Sequence, residues 1–269
     1  MSWSPLRSRA RVILSIPLAL LASVVGCASA LASGGPDAFG YTWLASSEGG
    51  PAYTFQIPVG VKALELTDDD FETVPLGFDF PFYGDVYDEV EVHSNGALTF
   101  GRGSALGANH SCPLAQPADP SIFAYYSDLN PTAANPSLGG VYAWTEGSPG
   151  QRRFVVEYHG IPRWNVTGYN QFEVKLFEGS GRVEFHFLDL LVDGDVHDNG
   201  GTAAVGIGGP DGLLVVSCDE AALSTELAIG FYPPCEDLDG DGFGICEGDC
   251  DDADPDRSPG HAEVCNGID

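Results

Sequence analysis

Basic residues are scarce in this chain. Eleven Lys and Arg stand against 39 Asp and Glu in 269 residues, a net charge of −28 at neutral pH. Nucleic acids and anionic membrane surfaces are gripped through Lys/Arg patches, so both are excluded as partners. Methionine is nearly missing, its one copy being Met1. Six histidines (His93, His110, His159, His186, His197 and His261) are scattered with no H-E-x-x-H or other close pair. A G-x-S-x-G elbow, a P-loop and a dinucleotide-type glycine pattern are all lacking. These absences argue against an enzyme. The one catalytic alternative left is a hydrolase whose carboxylates converge only in space.

A helical period is also missing between residues 37 and 234. In its place are short runs rich in Val, Ile, Phe and Tyr, parted by Gly, Pro, Asn and Asp. Strands are expected at 52–57, 61–66, 76–82, 86–93, 97–101, 122–126, 140–144, 153–158, 171–177, 182–188, 203–207, 213–217 and 227–232. Phe172, Val174 and Leu176 alternate with Gln171, Glu173 and Lys175; Val183, Phe185 and Phe187 alternate with Arg182, Glu184 and His186. Period two of this kind marks strands with one buried face, which predicts His186 on the solvent side. Many short strands with turn signals between them predict an all-β, antiparallel β-sandwich. Ser94-Asn95-Gly96 reads as a structural turn, and Asp128 and Asn130 as an Asx-type loop before Pro131, with ligand or metal binding as the alternative. Asp193-Gly-Asp195, with Asp198-Asn199-Gly200 nearby, reads as an acidic turn, with Ca²⁺ binding as the alternative. Trp164 and Tyr169, on a Pro/Gly-flanked loop, are expected to pack, with carbohydrate contact as the alternative.

The N-terminus predicts export. Arg7, Arg9 and Arg11 precede an apolar stretch over 12–25 that is of signal-peptide length and too short to span a membrane comfortably. Residues 1–32 are therefore read as a leader. Small-x-small cleavage sites end at Ala30 and Ala32, while Val24-Val25-Gly26-Cys27 has the form of a lipobox that would lipidate Cys27. The protein is thus expected in the cell envelope, lipid-anchored, or outside the cell. Cys27 apart, six of the seven cysteines remain, an even number that suits an oxidising compartment. Pairing within each region joins Cys112 with Cys218 in the body. It leaves Cys235, Cys246, Cys250 and Cys265 in the tail with three possible connectivities.

The tail, 235–269, holds twelve Asp/Glu and one basic residue, Arg257. Asp237, Asp239 and Asp241 alternate ahead of Gly242. Carboxylates so spaced repel one another unless a cation lies between them, and a hard ion with six to eight oxygen ligands is Ca²⁺. An EF-hand would add the Phe243 carbonyl at position seven and a Glu at position twelve. Position twelve is Gly248, so the run is no EF-hand, and Asp249, Asp251 and Asp252 are the candidates to close the shell. So short a segment builds no apolar core; cystines and a bound ion would have to order it. Copper favours His, Met or thiolate, and the tail offers His261 alone once its cysteines pair, so the donor set favours Ca²⁺ over copper. A Cys₄ zinc site lacks the paired C-x₂-C knuckles.

Two resemblances follow from these residues. The stretch from Pro75 to Tyr87 containing Phe80-Pro-Phe-Tyr-Gly84, the Val92-His-Ser-Asn-Gly-Ala-Leu-Thr-Phe-Gly101 segment and Ile122-Phe-Ala-Tyr-Tyr-Ser-Asp-Leu-Asn-Pro131 together resemble the nidogen-like extracellular domains. Gly139–Ala143, Arg152–Tyr158 and Gln171–Glu178 continue the same order. The resemblance implies a β domain of secreted proteins that binds a surface or extracellular ligand, protein or glycan. The tail resembles the MopE-type bacterial metal-binding motif in Asp237-Leu-Asp-Gly-Asp-Gly-Phe243, Cys246, Gly248–Asp252, Pro259-Gly260, Glu263, Cys265 and Gly267–Asp269. That resemblance breaks off before the family's closing Asn-Asp-Cys-Asp-Gly. It implies a metal, copper in the family's namesake.

Overall fold

A computed structural model describes Met1 and residues 33–135, 139–192 and 196–234. Among these residues thirteen strands, numbered in chain order, form two antiparallel sheets. One has seven strands in the order β1 (Ser33–Gly34), β2 (Thr42–Ala45), β13 (Leu227–Tyr232), β10 (Val183–Asp189), β9 (Asn170–Phe177), β8 (Arg153–Ile161), β7 (Gly140–Glu146). The other has six in the order β12 (Gly212–Cys218), β11 (Ala204–Gly209), β6 (Ser121–Tyr126), β5 (Ala97–Thr99), β4 (Asp85–His93), β3 (Phe71–Phe82).

Alternation places one side of each strand in the core. Phe154, Val156 and Tyr158 of β8, Phe172, Val174 and Leu176 of β9, and Val183, Phe185 and Phe187 of β10 are fully buried in one apolar cluster. Phe80 and Phe82 of β3, Val92 of β4, Leu98 of β5 and Ile122 of β6 enter the same cluster from the second sheet. Tyr158 stacks on Phe172 with ring centroids 4.5 Å apart, and Tyr125 of β6 reaches Phe172 across the sandwich at 5.4 Å. Offset aromatic pairs of this kind add roughly 0.5–1.5 kcal/mol each to the area they bury.

β3 carries Pro75 and Pro81 and lies at an edge of its sheet, where a strand tolerates prolines. Its register with β4 shifts between Pro75 and Phe80, and Gly77 there has φ +80°. The Ser94-Asn95-Gly96 turn shows why Gly96 is glycine. Its φ is +78°, and a Cβ would lie 2.2 Å from the Tyr125 carbonyl oxygen. Asn95 binds three loops at once: its amide donates to Asp69 Oδ1 (2.7 Å) and the Leu106 carbonyl, and its Oδ1 accepts from Leu129 N. Cys112 and Cys218 form a disulfide with a Cα–Cα distance of 5.6 Å, tying the segment before β6 to the end of β12.

Three expectations are corrected. Residues 52–57 form no strand, and 61–66 contribute only the isolated bridge Ala63–Tyr142. The short strands β1 and β2, which continue the large sheet beyond β13, were not expected. His186 does not face solvent: it is fully buried, as are Glu157, Glu173 and Lys175 on the same outer face of the sheet. The segment around 51–57 crosses that face, and its backbone hydrogen-bonds to sheet side chains rather than to a neighbouring strand.

A buried polar face, an aromatic cleft and the metal-binding tail

Strand register sets the outer face of the large sheet in rows. Tyr142, Glu157, Glu173, His186 and Ala228 are successive partners across β7, β8, β9, β10 and β13. In the adjoining row Trp144, Val155, Lys175, Glu184 and Gly230 pair in the same way. Segment 51–57 is fastened on these rows by polar contacts. Thr54 N donates to His186 Nδ1 at 3.3 Å, and Gln56 N donates to Glu173 Oε1 at 2.7 Å. Lys175 Nζ donates to the Thr54 carbonyl and Oγ1 at 2.8 and 2.9 Å, and lies 3.0 Å from Glu173 Oε2. The Gln56 amide reaches Glu146, which also pairs with Arg153.

The charges in this layer follow from their partners. Because His186 Nδ1 accepts from Thr54, Nε2 carries the proton and donates to Glu184 Oε2 at 3.0 Å. Burial holds His186 below the ordinary histidine range. Glu184 resists burial and stays below its usual value, through the His186 hydrogen bond and neighbouring Arg182. Glu157 has no cation beside it. Burial first, and then the facing Glu173, push its carboxyl up to about 8, so it is neutral at pH 7. Its Oε1 lies 2.5 Å from His159 Nδ1, and burial lowers His159 too. Both groups therefore prefer their neutral forms, with one proton held between them.

His159 is where this layer opens to solvent. It joins Gln171, Asp189, Tyr169 and Gly168 in lining a concavity of about 460 Å³. A second, of about 500 Å³, shares Gly168 and Tyr169 and adds Trp164, Arg163 and Asn130. Trp164 and Tyr169, expected to pack, are 43% and 37% exposed. The expected loop roles of Asp128 and Asn130 are visible here. Asn130 Oδ1 accepts from Thr132 N (3.0 Å) and Thr132 Oγ1 and caps the one-turn helix Pro131–Ala133. The Asp128 carbonyl accepts from Trp164 N at 2.7 Å, which fixes the aromatic loop. Burial raises the Asp128 carboxyl, and Arg163 opposes that rise.

The tail candidates Asp237, Asp239, Asp241, Phe243, Asp249, Asp251 and Asp252, together with Cys235, Cys246, Cys250, Cys265 and Cys27, lie outside the described residues, as do Asp193 and Asp195. Among the described residues one group of metal-type ligands converges, His110 with Cys112 and Cys218. Its two sulfurs are joined to each other, and His110 Nε2 pairs with Asp219 Oδ1 at 2.9 Å, so it is not an open metal site.

A family profile described as NIDO related matches residues 40–229, more than two thirds of the chain. The chain belongs to the NIDO-related family. A second profile, described as "Putative metal-binding motif" and of the MopE type, matches residues 249–269. The matched span contains Asp249, Asp251 and Asp252 and leaves the Asp237–Asp241 run just upstream. Neither the curated proteins nor the solved structures provide a match to the chain. The NIDO-related sandwich with its disulfide and the metal-binding motif together describe an extracellular-type, metal-binding protein. The tail's donors fit a metal by their chemistry: twelve carboxylates lie within 35 residues, and the cysteines suit bridging in an oxidising compartment.

Proposed function

We propose that this is an exported, non-catalytic binding protein of the cell surface. Its NIDO-related sandwich presents a recognition surface, and its tail is a Ca²⁺-binding, disulfide-clamped module. The observation that carries the reading is the alternation Asp237, Asp239, Asp241 running into the matched Asp249-Cys-Asp-Asp252. Every charged donor there is a hard oxygen, and Ca²⁺ takes six to eight of these. Against catalysis stands the outer-face cluster itself. Its most perturbed carboxyl, Glu157, is sealed from solvent and engaged with His159 instead of facing a substrate.

A second reading, a copper-binding or copper-acquiring protein, rests on the MopE-type match. It would have to use His261 or tail thiolates, since Met1 is the sole methionine. Metal analysis of the full-length protein, purified from the envelope without chelators and kept oxidised, separates the two. Calcium in the protein with little copper supports the first reading; stoichiometric copper replaces it with the second. A deletion strain with unchanged attachment and envelope behaviour would overturn the surface role.

A further inference from the structure

The two concavities adjoin at Gly168 and Tyr169, which line both, and we treat them as two halves of one cleft. Its walls are aromatic. Trp164 and Tyr169 rank among the few large apolar side chains left exposed on the described surface. Its floor is a polar row on three adjacent strands: His159 on β8, Gln171 on β9 and Asp189 on β10. Gln171 and Asp189 are register partners, and the Gln171 amide lies 3.2 Å from His159 Nε2. Asp189 Oδ1 accepts from Leu191 N at 3.1 Å, leaving its second oxygen uncommitted among the described residues. Three neighbouring strands span about 10 Å, a length suited to two linked sugar rings.

The aromatic wall is built in advance. Trp164 N is held by the Asp128 carbonyl, Leu129 and Arg163 form a bridge, and Val166 N donates to the Arg163 carbonyl. Gly168 sits at φ +92°, where a Cβ would lie 1.7 Å from the Val192 carbonyl oxygen, so the loop is pressed directly on its neighbour. A wall ordered before binding lowers the entropic cost of taking a ligand.

We propose that this cleft binds a short neutral oligosaccharide, stacked on Trp164 and Tyr169 and hydrogen-bonded through its hydroxyls to Gln171, Asp189 and His159. The proposal rests on the surface-binding reading above and names its ligand class. Exposed aromatic rings offer the apolar faces of sugars a flat partner, while an amide, a carboxylate and an imidazole supply the donors and acceptors that hydroxyls require. An extended peptide suits the place less well. Peptides add to free sheet edges, whereas β8, β9 and β10 are interior strands with their backbones already paired. Anionic glycans are disfavoured by Asp189 and by the net charge of −28.

The test titrates the full-length oxidised protein with chitotriose, cellotriose and maltotriose, and with an extended hexapeptide, by calorimetry in calcium and again in EDTA. At least one glycan should bind equally in both buffers, because the cleft lies in the sandwich and not in the tail. Trp164→Ala and Gln171→Ala should each weaken it about tenfold or more. Asp189→Asn, which keeps the side-chain shape, should also weaken it, and all three variants should keep the wild-type melting temperature. No glycan binding, binding unchanged in the folded variants, or binding of the peptide alone overturns the proposal. Labelled protein applied to intact cells separates the two levels. If Trp164→Ala still coats cells as wild type does, the cleft proposal falls and the surface-binding reading stands; if wild type coats no surface and binds no glycan, both fall.

Discussion

Among the carboxyls of the described residues, Glu157 is shifted furthest by its surroundings. Its carboxyl is pushed from 4.5 up to about 8, by burial and then by Glu173 across the strand pair. The folded state therefore favours the protonated form. The associated stability is full below about pH 4.5 and is lost as pH rises through about 8. Wild type should lose about 2–4 kcal/mol between pH 5 and 9 through this group. Glu157→Gln, neutral throughout, should flatten that decline and unfold at a higher temperature than wild type at pH 9. Parallel pH–melting curves for the two proteins would refute the assignment. Histidines act on the other side of neutrality. Burial, with Arg102 adding to it, lowers His93 to about 4, so its contribution is whole above pH 6.5 and fades as pH falls toward 4. Gly96 makes a different demand. With φ +78° and a carbonyl where a Cβ would go, Gly96→Ala should cost roughly 2–4 kcal/mol by denaturant unfolding. A loss under 0.5 kcal/mol would mean the turn is freer than its geometry implies.

At the scale of elements, the central strands were legible in the sequence because core packing leaves a period-two trace. β8, β9 and β10 carry Phe, Val, Tyr and Leu on alternate positions, and those positions form the apolar core between the sheets. Alternation cannot say what covers the other face, and there the reading failed. Glu173, Lys175 and His186 look like a solvated stripe, yet segment 51–57 lies over them. That segment itself alternates, Tyr53 and Phe55 against Thr54 and Gln56, and so imitated a strand. Its amides go to His186 and Glu173, partners that become visible only once the sheet is assembled. The aromatic cleft hid for the same reason. Trp164 and Tyr169 stand out in the sequence, but the meeting of His159, Gln171 and Asp189 needs three strands in register and the bulge before Asp189. The covering segment yields a prediction. Lys175→Ala removes both bonds to Thr54 and leaves Glu173 buried without its cation, which should cost about 3–5 kcal/mol. It should also open residues 51–57 to limited proteolysis before the rest of the sandwich. Wild-type stability with this segment still protected would show that apolar contacts hold it down.

At the scale of the whole molecule, the Cys112–Cys218 tie of the sandwich and, on the proposed reading, an ion held by the tail matter most. The Cys112–Cys218 bridge spans 106 residues, so opening it releases a long loop in the unfolded chain. Reduction should lower sandwich stability by roughly 2–5 kcal/mol, read as a fall in melting temperature under mild thiol reductant. An unchanged melting temperature would mean that the core alone sets stability. On the proposed reading the tail depends on an ion, because twelve carboxylates in 35 residues repel unless a cation gathers them. The direct measurement is calcium binding by the full-length oxidised protein, by calorimetry, beside Asp239→Asn and Asp241→Asn. Saturable Ca²⁺ binding is expected, with a dissociation constant of roughly 10⁻⁴–10⁻³ M, and both substitutions should abolish it. A flat calcium titration, or tight copper binding indifferent to those two aspartates, would contradict it.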